Sequence, residues 1–267
     1  ILFKGNNIKI IKNFDINSKN LLNLFKEITK KNSIPVINCI AKIPRSKGNK
    51  KFDKLDYVNT NYLSVIKLLN ISKKNKIPCF INISGTATSF VNENFEDEYN
   101  FYLFSKKMTD LYFNDEKKIK TRTVSNTLKI SAPYGYLFHK DSIFVNFVNN
   151  ATQNKDLTIF GDGNRKQVFT FSEDVGNCCL KLIEKKRSGS YYCMSNTAIK
   201  SKFLAKRVIK FFNSKSKIKI LNKFKETDTP NVKLLKKVIN LNKNSTDLNK
   251  SLKKIFLYIK ENNNLDL

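Results

Sequence analysis

Along the first half of the chain, apolar positions follow two alternating periods. Short apolar runs at 8–11, 35–40 (PVINCI) and 79–83 predict strands, and 123–131 reads as a further one. Between them the spacing is helical. Leu21, Leu22, Phe25 and Ile28 share one face of a helix over 18–30, and 96–113 reads as another helix. Leu55, Val58, Tyr62, Val65, Leu68 and Leu69 do the same over 53–74. Strands apolar on both sides, alternating with helices, predict a parallel sheet covered on both faces. The second half reads as a helix over 142–152, a strand over 157–160, the turn Gly161-Asp162-Gly163-Asn164 and a strand over 168–171. A helix over 173–185 follows, with Val175, Cys178, Cys179, Leu182 and Ile183 on one face, then a strand over 191–194 and a helix over 201–212. From 214 the chain is Lys-rich and ends in an amphipathic helix over 248–259. No repeat and no Gly/Ser/Pro linker interrupts this order. The expectation is an α/β, Rossmann-type doubly wound parallel sheet over 1–135, to which 168–190 returns. A smaller α/β lobe takes 136–167 and 191–267.

Composition narrows the class. The chain has 267 residues, of which 40% are hydrophobic, 12% aromatic and 27% charged, which supports a buried core and excludes disorder as the main state. No stretch approaches the roughly 18 uninterrupted apolar residues of a membrane helix, and the start, ILFKGNN, has no secretory apolar core. A soluble protein without a membrane partner is expected. The missing initiator Met suggests that the sequence begins partway into a longer chain. Lys+Arg number 50 against 22 Asp+Glu, a formal charge of +28. Clustered cations would indicate nucleic acid or an anionic membrane. Here the lysines are spread throughout, Lys far outnumbers the bidentate phosphate reader Arg, and no nucleic-acid module signature is present. Compositional drift toward Lys, Asn, Ile and Phe accounts for the charge. A basic surface would still attract a polyanionic small substrate, and a basic nucleic-acid binder remains a reading supported by charge alone.

The five cysteines, Cys39, Cys79, Cys178, Cys179 and Cys193, lack CxxC spacing. Buried free thiols in a reducing cytosol are expected, with no metal. His139, the sole histidine, lies in the polar stretch 139–141, which disfavours multi-histidine metal sites and Ser-His-Asp chemistry.

The candidate chemistry lies in 96–113. Tyr102 and Lys106 are four apart, one helical turn from each other on the same side. A nearby ammonium stabilises phenolate, so Lys106 is expected to pull the tyrosine's pKa down toward working pH and make Tyr102 a general acid/base. Upstream, the strand 79–83 runs into Ser84-Gly85-Thr86-Ala87-Thr88-Ser89, a hydroxylated turn at the strand end where open parallel sheets bind ligands.

With these residues in order, the chain resembles the extended short-chain dehydrogenase/reductases, specifically the NAD-dependent epimerase/dehydratase group acting on nucleotide-sugars. Thr86 matches the catalytic Ser/Thr, and Tyr102 with Lys106 the YxxxK pair. Asn61, in NYLSVIKLL, matches the asparagine that supports the active-site Lys through a water-bridged relay. Phe14-Asp15-Ile16 resembles the segment contacting adenine, and Ala41 ends the strand that passes beside the cofactor. The stretch LKISAPYG at 128–135 resembles the crossing to the substrate lobe, which implies Ser131 at the substrate and Pro133 at the cofactor. Residues 157–163 with 169–175 resemble the "pl-i-GdG … f-yv-Dva" signature, and 189–195 the strand that follows it. The resemblance implies NAD or NADP as cofactor, a nucleotide-diphosphate sugar as substrate, and a homodimer formed through the helices bearing Asn61 and Tyr102.

The sequence also departs from that pattern. Its eight glycines never form GxxGxxG; either that unit lies upstream or cofactor binding is impaired. Ala132 stands where a substrate-contacting Asn is common, Lys129 where Arg is usual, and Cys193 where Asn is usual. Gln167 takes the place of the phosphate-binding Arg, with Arg165 or Lys166 able to supply the charge. Thr86 is followed by Ala87-Thr88 and not by the Asp-Glu pair of dehydratases, which leaves epimerase or keto-sugar reductase. The alternative is a degenerate or fragmentary member with a binding or structural role.

Overall fold

The computed structural model describes residues 34–44, 53–119, 121–136, 142–221, 229–234 and 240–262, with single positions at 23, 25, 27 and 238. The expected strand at 8–11, most of the helix at 18–30, Asp15, Ile16 and His139 lie outside these residues. Asn23, Phe25 and Glu27 are helical.

Strand β1 (Val36–Asn38) leads through helix α1 to β2 (Cys79–Gly85), and β2 leads through α2 (Glu98–Glu116) to β3 (Val124–Ile130). Helix α1 comprises Lys54–Val58, a π-helical turn Asn59–Leu63, and Ser64–Lys74. The chain then forms β4 (Pro133–Tyr134), α3 (Ile143–Thr152), β5 (Leu157–Phe160), β6 (Lys166–Val168), β7 (Thr170–Phe171) and α4 (Ser172–Glu184). It closes with β8 (Gly189–Cys193), β9 (Ala198–Lys200), α5 (Ser201–Phe211), β10 (Ile218–Leu221) and α6 (Leu248–Asn262). The main sheet has the order β1-β2-β3-β8 and every pairing in it is parallel. Tyr191–Cys193 thus still pair with β3, three residues past the 190/191 boundary expected from sequence.

Why the strands lack a polar side is now evident. One face of the sheet packs Phe80 against Val65, Leu68 and Leu69 of α1 and Phe113 of α2. The opposite face packs Cys79, Ile81, Leu128 and Cys193 against Cys178, Cys179 and Leu182 of α4. A strand covered on both sides gains from apolar residues at successive positions. The smaller lobe has its own core, in which Phe144, Phe147 and Val148 of α3 meet Leu157 and Ile159 of β5, Leu204 and Val208 of α5, and Leu252 and Ile255 of α6. Gly161 and Gly163 in the turn after β5 have φ of 90° and 75°, the left-handed region where a side chain is strained.

Three expectations change. The strand over 168–171 is two short strands in different sheets: β6 pairs antiparallel with β9, and β7 pairs parallel with β4. The chain crosses between layers at the buried Phe169. Leu55, expected on the buried stripe of α1, is 68% exposed, and Tyr57 is buried in its place. The π turn adds a residue to the helical repeat and rotates the preceding turns relative to those that follow. Cys39, expected to be buried, is exposed just beyond β1, while the other four cysteines are buried and all five are free.

Candidate active site

The carboxyl ends of β1, β2 and β3 open onto a cavity of about 820 Å³. Open parallel sheets bind ligands at this edge because the strand ends and helix N-termini leave a crevice there. β2 ends in a 3₁₀ turn, Thr86–Phe90, which places Thr86 on the cavity wall. Helix α2 runs alongside, its N-terminus capped by the Asp97 side chain accepting from the Asn100 N–H. The periodicity of α2 brings Tyr99, Tyr102, Leu103 and Lys106 to the same cavity.

Thr86, Tyr102, Lys106, Pro133, Arg165 and Gln167 all line this one space. The Oγ of Ser84 and the Oγ1 of Thr86 are buried without a hydrogen-bond partner. Buried hydroxyls left unpaired are costly, so this wall suits a ligand that brings donors and acceptors of its own. Lys106 Nζ donates to Ile83 O at 3.1 Å, one of the three bonds an ammonium can make.

The electrostatics depart from the sequence expectation. Burial pushes Tyr102 up to about 12, with Tyr99 adding to the rise. Lys106 does not bring the phenol down. Its own ammonium is disfavoured by burial, against which Asp110 and the Cys39 sulfur act as stabilising neighbours, and its Nζ faces a main-chain carbonyl. Tyr102 is therefore a protonated phenol across the neutral range.

Other expected residues fall elsewhere. Ser131 does not line the cavity. Its Oγ shares a 2.8 Å hydrogen bond with Thr170 Oγ1, which is itself 3.2 Å from Cys193 O, so Ser131 is tied to β7 and the Thr170 hydroxyl joins β7 to β8. Ala41 is half-buried next to the cavity-lining Ile43 and is not itself part of the lining. Asn61 bonds directly to two neighbouring segments. Its Nδ2 donates to Lys42 O at 3.0 Å and to Ser105 Oγ at 2.9 Å, and its Oδ1 accepts from Lys42 N at 2.7 Å. Ser105 Oγ in turn donates to Tyr102 O at 2.7 Å, and the Asn61 carbonyl accepts from Thr109 Oγ1 at 2.7 Å. Asn61 thus joins the loop after β1 to the backbone of the helix turn carrying Tyr102.

Several lining residues were not foreseen. Tyr99 precedes Tyr102 by one turn, with ring centroids 6.0 Å apart; its i, i+3 spacing was the available signal. Asn92 and Asn94 form a wall held by Asn100, whose Nδ2 donates to their carbonyls at 3.0 and 2.7 Å. Thr229 is fixed by its N–H and hydroxyl donating to Lys166 O, a contact no local pattern reveals. Arg165 and Gln167 also line a second cavity of about 360 Å³, with Asn146, Phe147, Thr158 and Phe160. The two spaces therefore meet at this pair. Among the described residues, no group of three or more His, Cys, Asp or Glu is placed to hold a metal, and no helix is long and apolar enough to cross a membrane.

A doubly covered parallel sheet whose strand ends face a helix-borne Tyr–Lys pair defines a dinucleotide-binding α/β architecture. Residues 4–194 match the model of the NAD dependent epimerase/dehydratase family, and the chain belongs to that family. No curated protein matches the sequence. Among solved structures, ADP-L-glycero-D-manno-heptose-6-epimerase of Helicobacter pylori superposes with a TM-score of 0.70 at 19% identity, covering 92% of this chain and 78% of that one. UDP-glucuronic acid 4-epimerase of Bacillus cereus, crystallised with NAD, gives 0.69 at 21% identity over 95% and 80% of the two chains. An epimerase of Methanothermobacter thermautotrophicus gives 0.72 at 16% identity over 97% and 80%. At these identities the likeness is one of fold.

Proposed function

We propose that this protein is an NAD-dependent nucleotide-sugar epimerase, exchanging hydride and a proton at one carbinol carbon of a nucleoside diphosphate sugar. The observation that carries the reading is the convergence of Thr86, Tyr102 and Lys106 on one cavity that adjoins a second cavity at Arg165 and Gln167. A sugar in the first space and a base in the second would place a diphosphate near the Arg165 guanidinium, which suits phosphate oxygens. The exposed Phe160 and buried Phe147 offer ring faces in the second space.

Lys106, Pro133 and the loop carrying Ala41 are the residues that would hold the cofactor, beside the unpaired hydroxyls of Ser84 and Thr86. Nicotinamide, when bound, supplies the hydride acceptor and donor. Tyr102 moves the proton of the sugar hydroxyl, and Thr86 Oγ1 holds the same oxygen in line. Lys106, with one N–H donor on the Ile83 carbonyl, would have its remaining donors for the ribose hydroxyls of the cofactor. Asn61, through Ser105, keeps the Tyr102 turn in place.

A keto-sugar reductase is the second reading, and the pKa of Tyr102 favours it. A phenol held up to about 12 is ready to protonate a carbonyl oxygen during reduction, whereas the oxidative half of an epimerisation needs the phenolate. The same site performs both halves when cationic charge stabilises the phenolate.

The outward positions of α1 and α2, including Leu63 and Leu111, which are 51% and 54% exposed, suit pairing of two copies. The decisive experiment incubates the protein with NAD and a panel of UDP-, ADP- and GDP-hexoses, and in parallel with reduced cofactor and nucleotide-linked keto sugars, and separates the products by chromatography. A new diastereomer from one sugar, without net cofactor reduction, is expected. Stoichiometric consumption of reduced cofactor with a keto sugar would transfer the assignment to the reductase, and inertness toward every sugar would remove it.

A further inference from the structure

Tyr102, Lys106 and Asp110 are spaced four apart on α2 and form one ladder along its inner side. The third rung is a carboxylate 3% exposed, in the interior where a charge is tolerated only with partners. Its Oδ2 accepts from Lys129 Nζ at 2.9 Å and from Thr88 Oγ1 at 2.6 Å. Three elements meet there: the helix bearing Tyr102, strand β3, and the 3₁₀ turn bearing Thr86. Thr88 Oγ1 also lies 2.9 Å from Gly85 O, the last residue of β2. Lys129 sits 5.8 Å from the centre of the Tyr192 ring, which extends the contact to β8.

The Thr86 hydroxyl has no hydrogen-bond partner of its own. Among the described residues, the side-chain hydrogen bond that ties its turn to α2 is the one between Thr88 and Asp110. The distance between Thr86 and Tyr102, one on the turn and one on the helix, is thus set two residues and two helical turns away. We propose that Asp110 is the positioning residue of this site, clamping Thr88 and Lys129 so that the Thr86 turn and the Tyr102 helix stay in reacting register. This rests on the reading of Tyr102 and Thr86 as the reacting pair. Asp110 touches no substrate. It acts through Thr88, and its effect falls on the chemical step and not on the binding of the nucleotide end, which is held at Arg165.

Thr88→Val isolates the clamp, because it removes the hydroxyl at constant volume and leaves the Asp110–Lys129 pair intact. Misplacement of reacting groups by about 1 Å costs about 100-fold. A kcat lowered by at least about tenfold, with KM within about twofold, is therefore expected for Thr88→Val. Thr88→Ser, which restores the hydroxyl, returns kcat to near the wild-type value. If Thr88→Val does not fold, Thr88→Cys keeps the volume while weakening the bond and carries the same comparison. The measurement is steady-state kinetics on the nucleoside diphosphate sugar that the wild-type protein turns over, with folding checked by thermal melting. A folded Thr88→Val with wild-type kcat, or with only KM raised, overturns the positioning role. A wild-type protein that turns over none of the sugars overturns the functional reading beneath it, a separate result.

Discussion

Asn61 grips the main chain of Lys42 from both sides, its amide nitrogen donating to the Lys42 carbonyl at 3.0 Å and its amide oxygen accepting from the Lys42 N–H at 2.7 Å. Asn61 lies buried in the π turn of α1, where the helical repeat is offset and its side chain meets the Lys42 main chain and Ser105 of α2. Through the pairing with Lys42, and through the bond of Asn61 to Ser105, the loop after β1 is tied by α1 to α2, the helix that lines the cavity.

Asn61→Ala removes both of these bonds and the one to Ser105. Each net bond contributes about 0.5–1.5 kcal/mol, so a stability loss of about 2–3 kcal/mol is expected. Urea unfolding followed by circular dichroism measures it, and a change below about 1 kcal/mol would separate Asn61 from the role described.

Tyr102→Phe removes the proton carrier while keeping the ring that packs beside Tyr57 and Tyr99 at centroid distances of 6.3 and 6.0 Å. Turnover is expected to fall by about 10²–10⁴-fold, with NAD binding by calorimetry changed by less than about threefold. Retained turnover would take Tyr102 out of the mechanism.

Tyr134 gives a pH test of the smaller lobe. Burial holds its phenol up to about 12, partly opposed by the hydrogen bond with Ser251. Its unfolded value lies near 10. The folded state thus binds the proton more tightly, and the stability from this difference is fully present below about pH 10 and lost as the pH rises toward 12. Denaturant titrations between pH 8 and pH 11 are expected to show that alkaline loss in the wild type and a shallower one in Tyr134→Phe. Parallel curves for the two proteins would contradict the assignment.

Asp174 belongs to the segment FSEDV, the part of the sequence most suggestive of a family signature. Its carboxylate accepts from Thr246 N at 2.9 Å, Thr246 Oγ1 at 2.6 Å and Asn242 Nδ2 at 3.1 Å. It anchors the segment leading into α6 against the first turn of α4. Hydrogen bonds to a charged group contribute about 1.5–3 kcal/mol each, and Asp174→Ala, which removes three, is expected to lose at least about 4.5 kcal/mol. Hydrogen exchange should quicken at 240–246 before it does in β2. Uniform exchange across the chain would show that the anchor is not local.

Leu111→Glu tests the pairing of copies. Light scattering of the wild type is expected to give twice the 30.9 kDa chain mass, and the variant the single mass. A monomeric wild type would end that proposal.

The local features of this protein were readable because short-range rules govern them. Tyr102 and Lys106 share a helix side by spacing alone, and β2 delivers Thr86 to a strand end whatever surrounds it. Other features had no local sign. The π turn that exposes Leu55 and buries Asn61 depends on what α1 packs against. Ser131 turns toward Thr170 because β7 offers a partner there, and Thr229 reaches the cavity from a distant segment. The pKa of Tyr102 was misjudged from spacing because burial outweighs a lysine whose own charge is desolvated.

The amino-acid order by itself determined an alternating α/β chain, a doubly covered sheet and a helix carrying a phenol and an ammonium one turn apart, since periodicity and strand-end chemistry act over a few residues. Tertiary structure alone decided that Arg165 and Gln167 stand where two cavities meet, that Asp110 joins Thr88 to Lys129, and that burial raises the Tyr102 phenol above its ordinary range. Those outcomes depend on which distant groups are brought together and how much water their contact excludes, and both are properties of the packed chain.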